Sequence, residues 1–441
     1  MESMKRISLM LLALALPAAL LAQTARGSYF FENSVQRTRL NAAFAPKSTF
    51  IAIPVLGNLN YEAYGNVGLG NFVFPLGNNS YSFMSERVTA DRFLSQLPAE
   101  DPYARLQLRT DFLAAGRPIG LDGYVSAGLT VAASGRATVP NELFRIAKTA
   151  HSGESYSFDG LEARMNAYAS IWGGFRYDMG DWIDGLYLGG RFQLLLGLWN
   201  GRMDLGPVEL SLGEERLTAS LNGSGRLAGL RYDSGFNLGG FGIRGLGAAV
   251  DLGAEYRLSF DGFFNGLNFS ASVNDLGAIG WFRRTSTLTA PSSIEFSGAD
   301  LDLEDIQGSF NRAMDELNAQ AAIRVEDGGS YGAMLPFSVY AGVEAPFLNE
   351  MMSVGVLYYN TLGLNNVMVS YNVSPTPWLN LGVSGTFGAP VGRFGFYVEV
   401  VPKKYVSFFA GMERSGFRRN AEGIPTSRFA ESLSMGLNLL L

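Results

Sequence analysis

The chain has one histidine, His151, and that residue is the first candidate for catalysis. It lies in the polar stretch TAHSGESYS, and a Ser-His-Asp hydrolase would have to use it as the general base. The stretch around it carries no nucleophile motif. We therefore expect His151 to be a solvated loop residue, and we expect that the protein is not an enzyme.

The side chains that usually hold metals and cofactors are scarce. The chain has no cysteine, which excludes disulfide bonds and thiolate ligands, and a zinc site is not expected from a single histidine. The glycine-rich run GSGRLAGLRYDSGFNLGGFGIRGLG contains no phosphate-binding loop motif. We expect no metal and no cofactor, and we assign these glycines to strand bends and close packing.

Four charged residues are the remaining candidates for a site. Arg191, Asp251, Glu255 and Arg257 share a strand face with glycine, serine and asparagine, opposite a face of leucine, valine, tyrosine and phenylalanine. If the apolar face meets lipid, these four residues line the lumen of a barrel. They either set the permeability of that lumen or form an internal salt-bridge network. We favour the network, because plugged barrels also have polar interiors.

The segments that carry these charges are predicted to be β-strands. In Leu246–Phe260, apolar residues alternate with polar ones or glycine, which is the period of two of a strand with one apolar face. Leu267–Asp275 and Leu186–Leu198 show the same alternation. The other segments that do so are Ile51–Val67, Ala104–Gly116, Asp122–Ala133, Ala163–Tyr177, Leu335–Pro346, Met351–Tyr359, Asn366–Val373, Trp378–Phe387, Arg393–Val400, Tyr405–Met412 and Ser434–Leu441. The sequence thus predicts about 14 strands, within a range of 12–16, and Val208–Ser220 is a weaker additional candidate.

Composition and the N-terminus favour a membrane-spanning barrel. Charged residues make up 17% of the chain, below the roughly 25% of soluble domains. The net charge of -6 argues against a nucleic-acid partner. Residues 1–22 have the basic start and apolar core of a cleaved signal peptide. We expect an exported protein with an N-terminal segment at 23–48, a candidate to enter the lumen, and a barrel at 49–441.

A soluble β-sandwich array is the alternative fold. In water, so many outward apolar faces would be unfavourable, whereas in a bilayer they meet lipid, and closure pairs every backbone group. We therefore predict an all-β, transmembrane antiparallel barrel with short internal or capping helices. The helical candidates are Pro140–Lys148 and Leu301–Ala322. The candidates for the aromatic girdles at the membrane interfaces are Trp172, Trp182, Trp199 and Trp378.

The last strand has a second candidate role. Ser434, Gly436, Leu439 and Leu441 are similar in type and spacing to the C-terminal signal that the barrel-assembly machinery reads in outer-membrane proteins. The usual final aromatic residue is replaced by Leu441. The alternative is an ordinary apolar edge strand. In a closed barrel this strand pairs with the first one, which we expect within Ile51–Val67.

Several segments carry a resemblance to a known family. They are Ser28–Pro46, Phe50–Asn60, Val250–Phe260, Ser272–Trp281 and Leu335–Glu344. Together they resemble an uncharacterised family of Bacteroidota outer-membrane β-barrels, a domain of unknown function. Its members look similar to FadL-type fatty-acid transporters and to the PorV proteins of type IX secretion. Ala42 stands where the FadL-type barrels usually have proline.

The resemblance implies a location in the cell outer membrane and a FadL-like channel or binder for small hydrophobic molecules. The alternative is a PorV-like interaction barrel, or a structural barrel without transport activity. The expected partners are outer-membrane lipid, the barrel-assembly machinery and a small hydrophobic ligand.

Overall fold

A single sheet closes on itself to form the body of the protein. The computed structural model describes residues 25–77, 79–149, 154–158, 160–212, 216–232, 236–238, 240, 242–289, 294–297, 324–402, 405–415 and 425–441. The wall is a closed antiparallel barrel of 14 strands, as the alternation predicts. These strands are β1 (Phe50–Ala52 and Leu59–Gly65), β2 (Tyr103–Ile119), β3 (Gly123–Thr138), β4 (Glu162–Asp178), β5 (Leu186–Leu212), β6 (Gly245–Ser259), β7 (Gly266–Trp281), β8 (Ser338–Phe347), β9 (Met352–Thr361), β10 (Leu364–Thr376), β11 (Leu379–Gly388), β12 (Arg393–Val400), β13 (Val406–Arg414) and β14 (Phe429–Leu440).

The barrel closes between its last and first strands. Leu439 of β14 pairs with Ile51, and Met435 pairs with Leu59, so both pieces of β1 lie along β14. The other edge of β14 pairs with β13. The prediction that the last strand pairs with the first is confirmed. Closure leaves neither edge of the sheet unpaired, which a bilayer requires.

The two faces of the wall differ as the sequence predicts. In β6, Leu246, Leu252 and Leu258 are exposed on the outside, whereas Asp251 and Glu255 are buried. Strand β14 shows the same division, with Leu439 exposed outside and Asn438 fully buried. An apolar outer face and a polar lumen are the pattern of a barrel surrounded by lipid.

Connections differ between the two ends of the barrel. One end carries short turns at 120–122, 179–185, 260–265, 348–351, 377–378 and 401–405. The other end carries the connections 66–102, 139–161, 213–244, 282–337 and 415–428, together with tight turns at 362–363 and 389–392. Short turns at one end and longer loops at the other are typical of outer-membrane barrels.

Short elements lie at the long-loop end. Helix α1 (Ala90–Leu94) packs with the hairpin formed by Val73–Leu76 and Asn79–Ser82. Helix α2 (Asn141–Thr149) confirms the helix predicted at Pro140–Lys148. The other short strands there are Ser155–Phe158, Arg216–Ala228, Leu230–Tyr232, Phe236–Leu238, Thr285–Thr289, Ile294–Ser297, Arg324–Asp327 and Tyr331–Met334. None of the described helices is long and apolar enough to span a membrane.

The weaker strand candidate Val208–Ser220 was wrong. Strand β5 continues to Leu212, and the next strand begins at Arg216, so the candidate joins the end of one strand to the start of another. The two are antiparallel, with Leu212 opposite Leu217. The error arose because alternation continues across a short hairpin. The signal peptide, His151 and the Leu301–Ala322 helix lie outside the described residues.

Closure predicts the effect of truncation. A chain that ends at Glu431 loses most of β14, which exposes the backbone groups of β1 and β13 to lipid. We expect no insertion, measured as loss of the heat-modifiable band in outer-membrane fractions. Leu439→Phe keeps the strand and serves as the control. Normal assembly of the truncated chain would contradict the role of β14 in closure.

Candidate functional site

The N-terminal residues occupy the lumen. Residues 25–49, here called the plug, contain two 3-10 helices, Ala25–Ser28 and Gln36–Arg39, and all four residues of the second are buried. The plug contacts wall strands on several sides: the Tyr29 hydroxyl hydrogen-bonds to that of Ser270 on β7 at 3.0 Å, whereas Arg39 Nε donates to Asp111 on β2 at 2.9 Å. Contacts on so many sides place the plug inside the barrel.

Arg26 anchors the start of the plug. Its guanidinium donates to Glu62 Oε1 at 2.9 Å and to the Tyr64 hydroxyl at 2.8 Å. Glu413 lies 3.7 Å away, and the Tyr359 ring stacks beneath the charge at 4.3 Å from its centroid. Arg26 is fully buried, so the carboxylates on β1 and β13 supply the neutralisation that water would otherwise provide.

Arg39 contacts three side chains of the wall. Its Nε donates to Asp111 Oδ2 at 2.9 Å, and an Nη atom contacts both the second Asp111 oxygen and the Thr130 hydroxyl. The guanidinium lies 4.2 Å from the centroid of Trp172, whose ring nitrogen donates to Thr130 at 3.0 Å. Trp172 is therefore a buried lumen residue. Its prediction as an interface residue was wrong, because it lies on the inward face of β4.

The other three predicted girdle tryptophans have different positions. Trp182 and Trp378 are exposed at the short-turn end, where a membrane interface would lie. Trp199 packs partly buried against a cluster that contains Leu227 and Leu230.

The four predicted lining residues lie on β5 and β6 and contact the plug directly or through one another. Arg191 donates to Asp251 at 2.8 Å and to the Thr38 carbonyl at 2.8 Å. Glu255 accepts from Arg37 of the plug at 3.3 Å, and Arg257 also contacts it. The structure thus joins the four residues to the plug as an ion-pair network, the arrangement that the sequence favoured.

Glu32 links the plug to the same ion-pair network. Arg257 Nη1 donates to Glu32 Oε1 at 2.7 Å, and Lys47 Nζ lies 3.8 Å from it. Burial alone would raise the pKa of the Glu32 carboxyl, but the charges of Arg257 and Lys47 hold it below its ordinary value. Glu32 therefore stays ionised and keeps Arg257 paired.

One ion pair crosses the lumen. Arg109 of β2 donates to both carboxylate oxygens of Asp275 on β7, at 2.8 and 2.6 Å. Sequence analysis missed Asp275, because strict alternation would turn it outward. The register shifts at Asp251, and Asp275 has a φ of 61°, so a β-bulge turns its side chain inward. The sequence did contain a sign of this bulge: alternation places the Asp275 carboxylate on the lipid face, where an unpaired charge is unfavourable.

The wall has glycines where the plug passes closest. A Cβ on Gly355 would lie 2.4 Å from the Phe30 ring, and one on Gly342 would lie 2.7 Å from the Tyr29 ring. On Gly436, a Cβ would lie 1.6 Å from the Gln36 amide nitrogen. The other wall glycines with plug atoms this close are Gly189 and Gly253. The wall is therefore shaped to the plug, and larger side chains at these positions would displace it.

The strand β1 is interrupted beside the plug. Its pairing with β2 stops at Ile51 opposite Ala115 and resumes at Leu59 opposite Thr110, which leaves residues 53–58 unpaired with β2. Val55 and Leu56 in this interruption are exposed on the outside of the wall. On the inside, Gln36 donates to the Gly57 carbonyl at 3.3 Å.

Two small gaps lie beside the plug. Each has a cavity volume of about 10 Å³. That is room for about one water. The second gap lies directly behind the β1 interruption and is lined by Arg39, Asp111 and Trp172. The part of the chain that the structure describes contains no group of three or more acidic or histidine side chains placed to hold a metal ion.

The Arg39–Asp111 pair predicts how firmly the plug is held. Arg39→Ala leaves a buried carboxylate without its cation, which costs about 3–5 kcal/mol. We expect a lower midpoint in the heat-modifiability assay and faster chymotrypsin cleavage at Tyr29. The control is Arg202→Ala, whose ion pair with Asp204 is half exposed and worth about 0–1 kcal/mol. Equal stability of the two variants would contradict an anchoring role for Arg39.

The glycine contacts predict a second difference. Gly355→Ala forces the Phe30 ring to move, and such overpacking costs about 1–3 kcal/mol. Gly173→Ala is the matched control, because a Cβ there has no atom within 4 Å. We expect only Gly355→Ala to increase chymotrypsin cleavage of the plug. Identical cleavage rates would mean that the wall glycines do not position it.

Comparisons with solved structures return barrels. A Pseudomonas putida toluene transporter, TodX, is 12% identical with a TM-score of 0.40, over 95% of this chain and 94% of that one. A TodX monoaromatic hydrocarbon channel mutant is 11% identical with a TM-score of 0.43, over 91% and 92%. The translocator domain of the autotransporter NalP from Neisseria meningitidis is 10% identical with a TM-score of 0.30, over 89% and 88%. The barrel of this chain is established by its own strand pairing.

A family model matches most of the chain. No curated protein matches the chain. A family model, described as a family of unknown function, DUF5723, matches residues 42–412, which include the end of the plug and most of the barrel. The chain belongs to the DUF5723 family.

Proposed function

We propose that the protein is a FadL-like outer-membrane channel or binding barrel for small hydrophobic molecules, closed at rest by its own plug. The observation that carries the proposal is the plug itself, which fills the lumen next to an interrupted wall strand. The chain acts by binding and passage, and it is not an enzyme. Its outer-membrane location follows from the apolar outer face of the barrel and from export by the predicted signal peptide.

The resting state is closed. Arg26, Arg37 and Arg39 each pair with a wall carboxylate, and Arg109 spans the lumen to reach Asp275. The remaining gaps each admit about one water. Passage of a solute therefore requires the plug to shift, and ligand binding must supply the free energy of that shift.

The β1 interruption separates a lumen gap from the outer surface of the wall. Ile53 N donates to the Leu437 carbonyl at 3.0 Å, and Leu437 N donates to the Leu56 carbonyl at 2.8 Å. Pro54 and Val55, between these two hydrogen bonds, lie outside the ladder of β1 with β14. Val55 and Leu56 give this segment an apolar outer surface. A hydrophobic molecule can reach it from the bilayer without crossing water, which supports the assignment of hydrophobic ligands.

The second candidate is an interaction or structural barrel without transport, similar to PorV. It is favoured by the buried ion pairs that hold the plug, because they resist any movement. Purification from outer membranes discriminates between the two functions. A stoichiometric protein partner supports the interaction barrel, whereas a lone barrel with bound lipid or hydrophobic solute supports the channel.

A locked plug tests the channel. The chain has no cysteine, so Gln36→Cys with Gly436→Cys introduces one defined pair at a site where a Cβ on Gly436 lies 3.0 Å from Gln36 Cγ. In liposomes loaded with a panel of hydrophobic solutes, we expect wild-type flux, loss of flux in the oxidised variant and recovery after reduction. Gln36→Cys alone and the reduced double variant are the controls, because Gly436→Cys with Gln36 retained would itself displace the plug.

The outcomes separate the functions. Flux equal to that of protein-free liposomes for every solute would overturn the channel and leave the interaction barrel. Flux that is unchanged by the disulfide would show that the plug is not the gate.

A further inference from the structure

The gap behind the β1 interruption contains an unsatisfied polar side chain. Asn438 is fully buried on the lumen face of β14, and neither its amide nitrogen nor its amide oxygen has a hydrogen-bond partner among the described residues. It lines the same gap as Arg39, Asp111 and Trp172. A buried amide without partners is unfavourable, and such a group in a cavity indicates a ligand or a bound water.

The partners of Arg39 show which head group this gap accommodates. Asp111 accepts from Arg39 at 2.9 Å, from Thr130 at 2.6 Å and from Asn58 at 3.1 Å, so its carboxylate is held in one orientation. The Trp172 ring lies against the flat face of the same guanidinium. A fixed carboxylate combined with an aromatic face is the usual means of recognising an organic cation.

The surroundings of the head group are apolar. Phe50, Ala52 and Ala114 line the gap on the side of β1 and β2. Gly57 and Asn58, which also line it, belong to the interruption itself. A ligand with a charged head and an apolar body would therefore place the head at Asp111 and its body towards the lipid side.

We propose that this gap is a binding site for small hydrophobic cations, namely amidines, guanidines or amines on an aromatic or alkyl body. The ligand head takes the place of the Arg39 guanidinium at Asp111, stacks on Trp172 and donates to the Asn438 carbonyl oxygen. Displacement of Arg39 releases one anchor of the plug. The inference rests on the proposed function and narrows its substrate class.

Anionic ligands fit this position poorly. Once Arg39 has left, Asp111 is the charged side chain that lines the gap. Arg191 also contacts the Trp172 ring, at 4.7 Å from its centroid, but it stays paired with Asp251 at 2.8 Å, and Arg109 stays paired with Asp275 at 2.6 Å. A carboxylate head would meet the like charge of Asp111 in a desolvated site. The site therefore discriminates against fatty-acid-like anions.

Three probes of nearly equal shape test the charge requirement: benzamidine, the neutral benzamide and the anionic benzoate. Binding is measured by calorimetry on the detergent-refolded full chain, with heat-modifiable mobility as the check on folding. In Arg39→Ala, where the position is vacant, we expect saturable benzamidine binding about tenfold tighter than in wild type. Benzamide and benzoate should bind weakly or not at all, and adding Asp111→Asn should remove benzamidine binding.

A second variant tests the site if Arg39→Ala fails to assemble. Asn438→Leu fills the gap and removes the unsatisfied amide, while Arg39 and Asp111 remain paired. Wild type should bind benzamidine and Asn438→Leu should not. Equal binding by the two proteins, or equal binding of benzamidine and benzamide, would overturn the site and indicate that the gap holds only a structural water.

The two proposals fail separately. Flux of neutral hydrophobic solutes without benzamidine binding overturns the cation site and leaves the channel. Benzamidine binding without any flux supports the site and overturns the channel. Absence of both flux and binding overturns both.

Discussion

Charge buried inside the barrel must be neutralised there, and the rest of the structure depends on that constraint. The lumen carboxylates Asp111, Asp251 and Glu255 are buried, so each needs a cation or a hydrogen-bond donor within reach. The wall supplies some of these cations, such as Arg191 for Asp251. The plug supplies others, with Arg26 for Glu62 and Arg39 for Asp111. A barrel without the plug would keep the acidic side chains and lose their partners.

Shape adds to charge in fixing one position for the plug. Ion pairs alone tolerate small shifts, whereas the contacts between plug and wall glycines do not, because close-packed atoms resist displacement. Phe30 rests on Gly355, and Gln36 rests on Gly436. The cation–π contact of Arg39 with Trp172 adds a second attraction on the guanidinium beside its pairing with Asp111. Together these contacts explain how a segment with only two short 3-10 helices can be ordered.

The sequence predicted the wall well, because each strand buries one face and exposes the other, and this alternation is local. Strand number, closure between β14 and β1, and the inward position of Asp251 follow from it. What alternation cannot reveal is a bulge, so Asp275 was missed. Trp172 was misplaced because it was assigned by residue type, although it alternates in step with Ser170 and opposite Ile171. The pairing of plug arginines with wall carboxylates depends on contacts distant in sequence, such as Arg39 with Asp111, and no local pattern encodes them.

The connection between plug and wall sets a limit on how far the plug can travel. Phe44 is the last plug residue in its aromatic cluster, and β1 begins at Phe50. The five residues between them span at most about 18 Å when extended. β1 also forms the seam with β14, so this tether is attached where the barrel closes. A displaced plug therefore stays at the short-turn mouth of its own barrel. Any return of a displaced plug would then be an intramolecular step, independent of protein concentration.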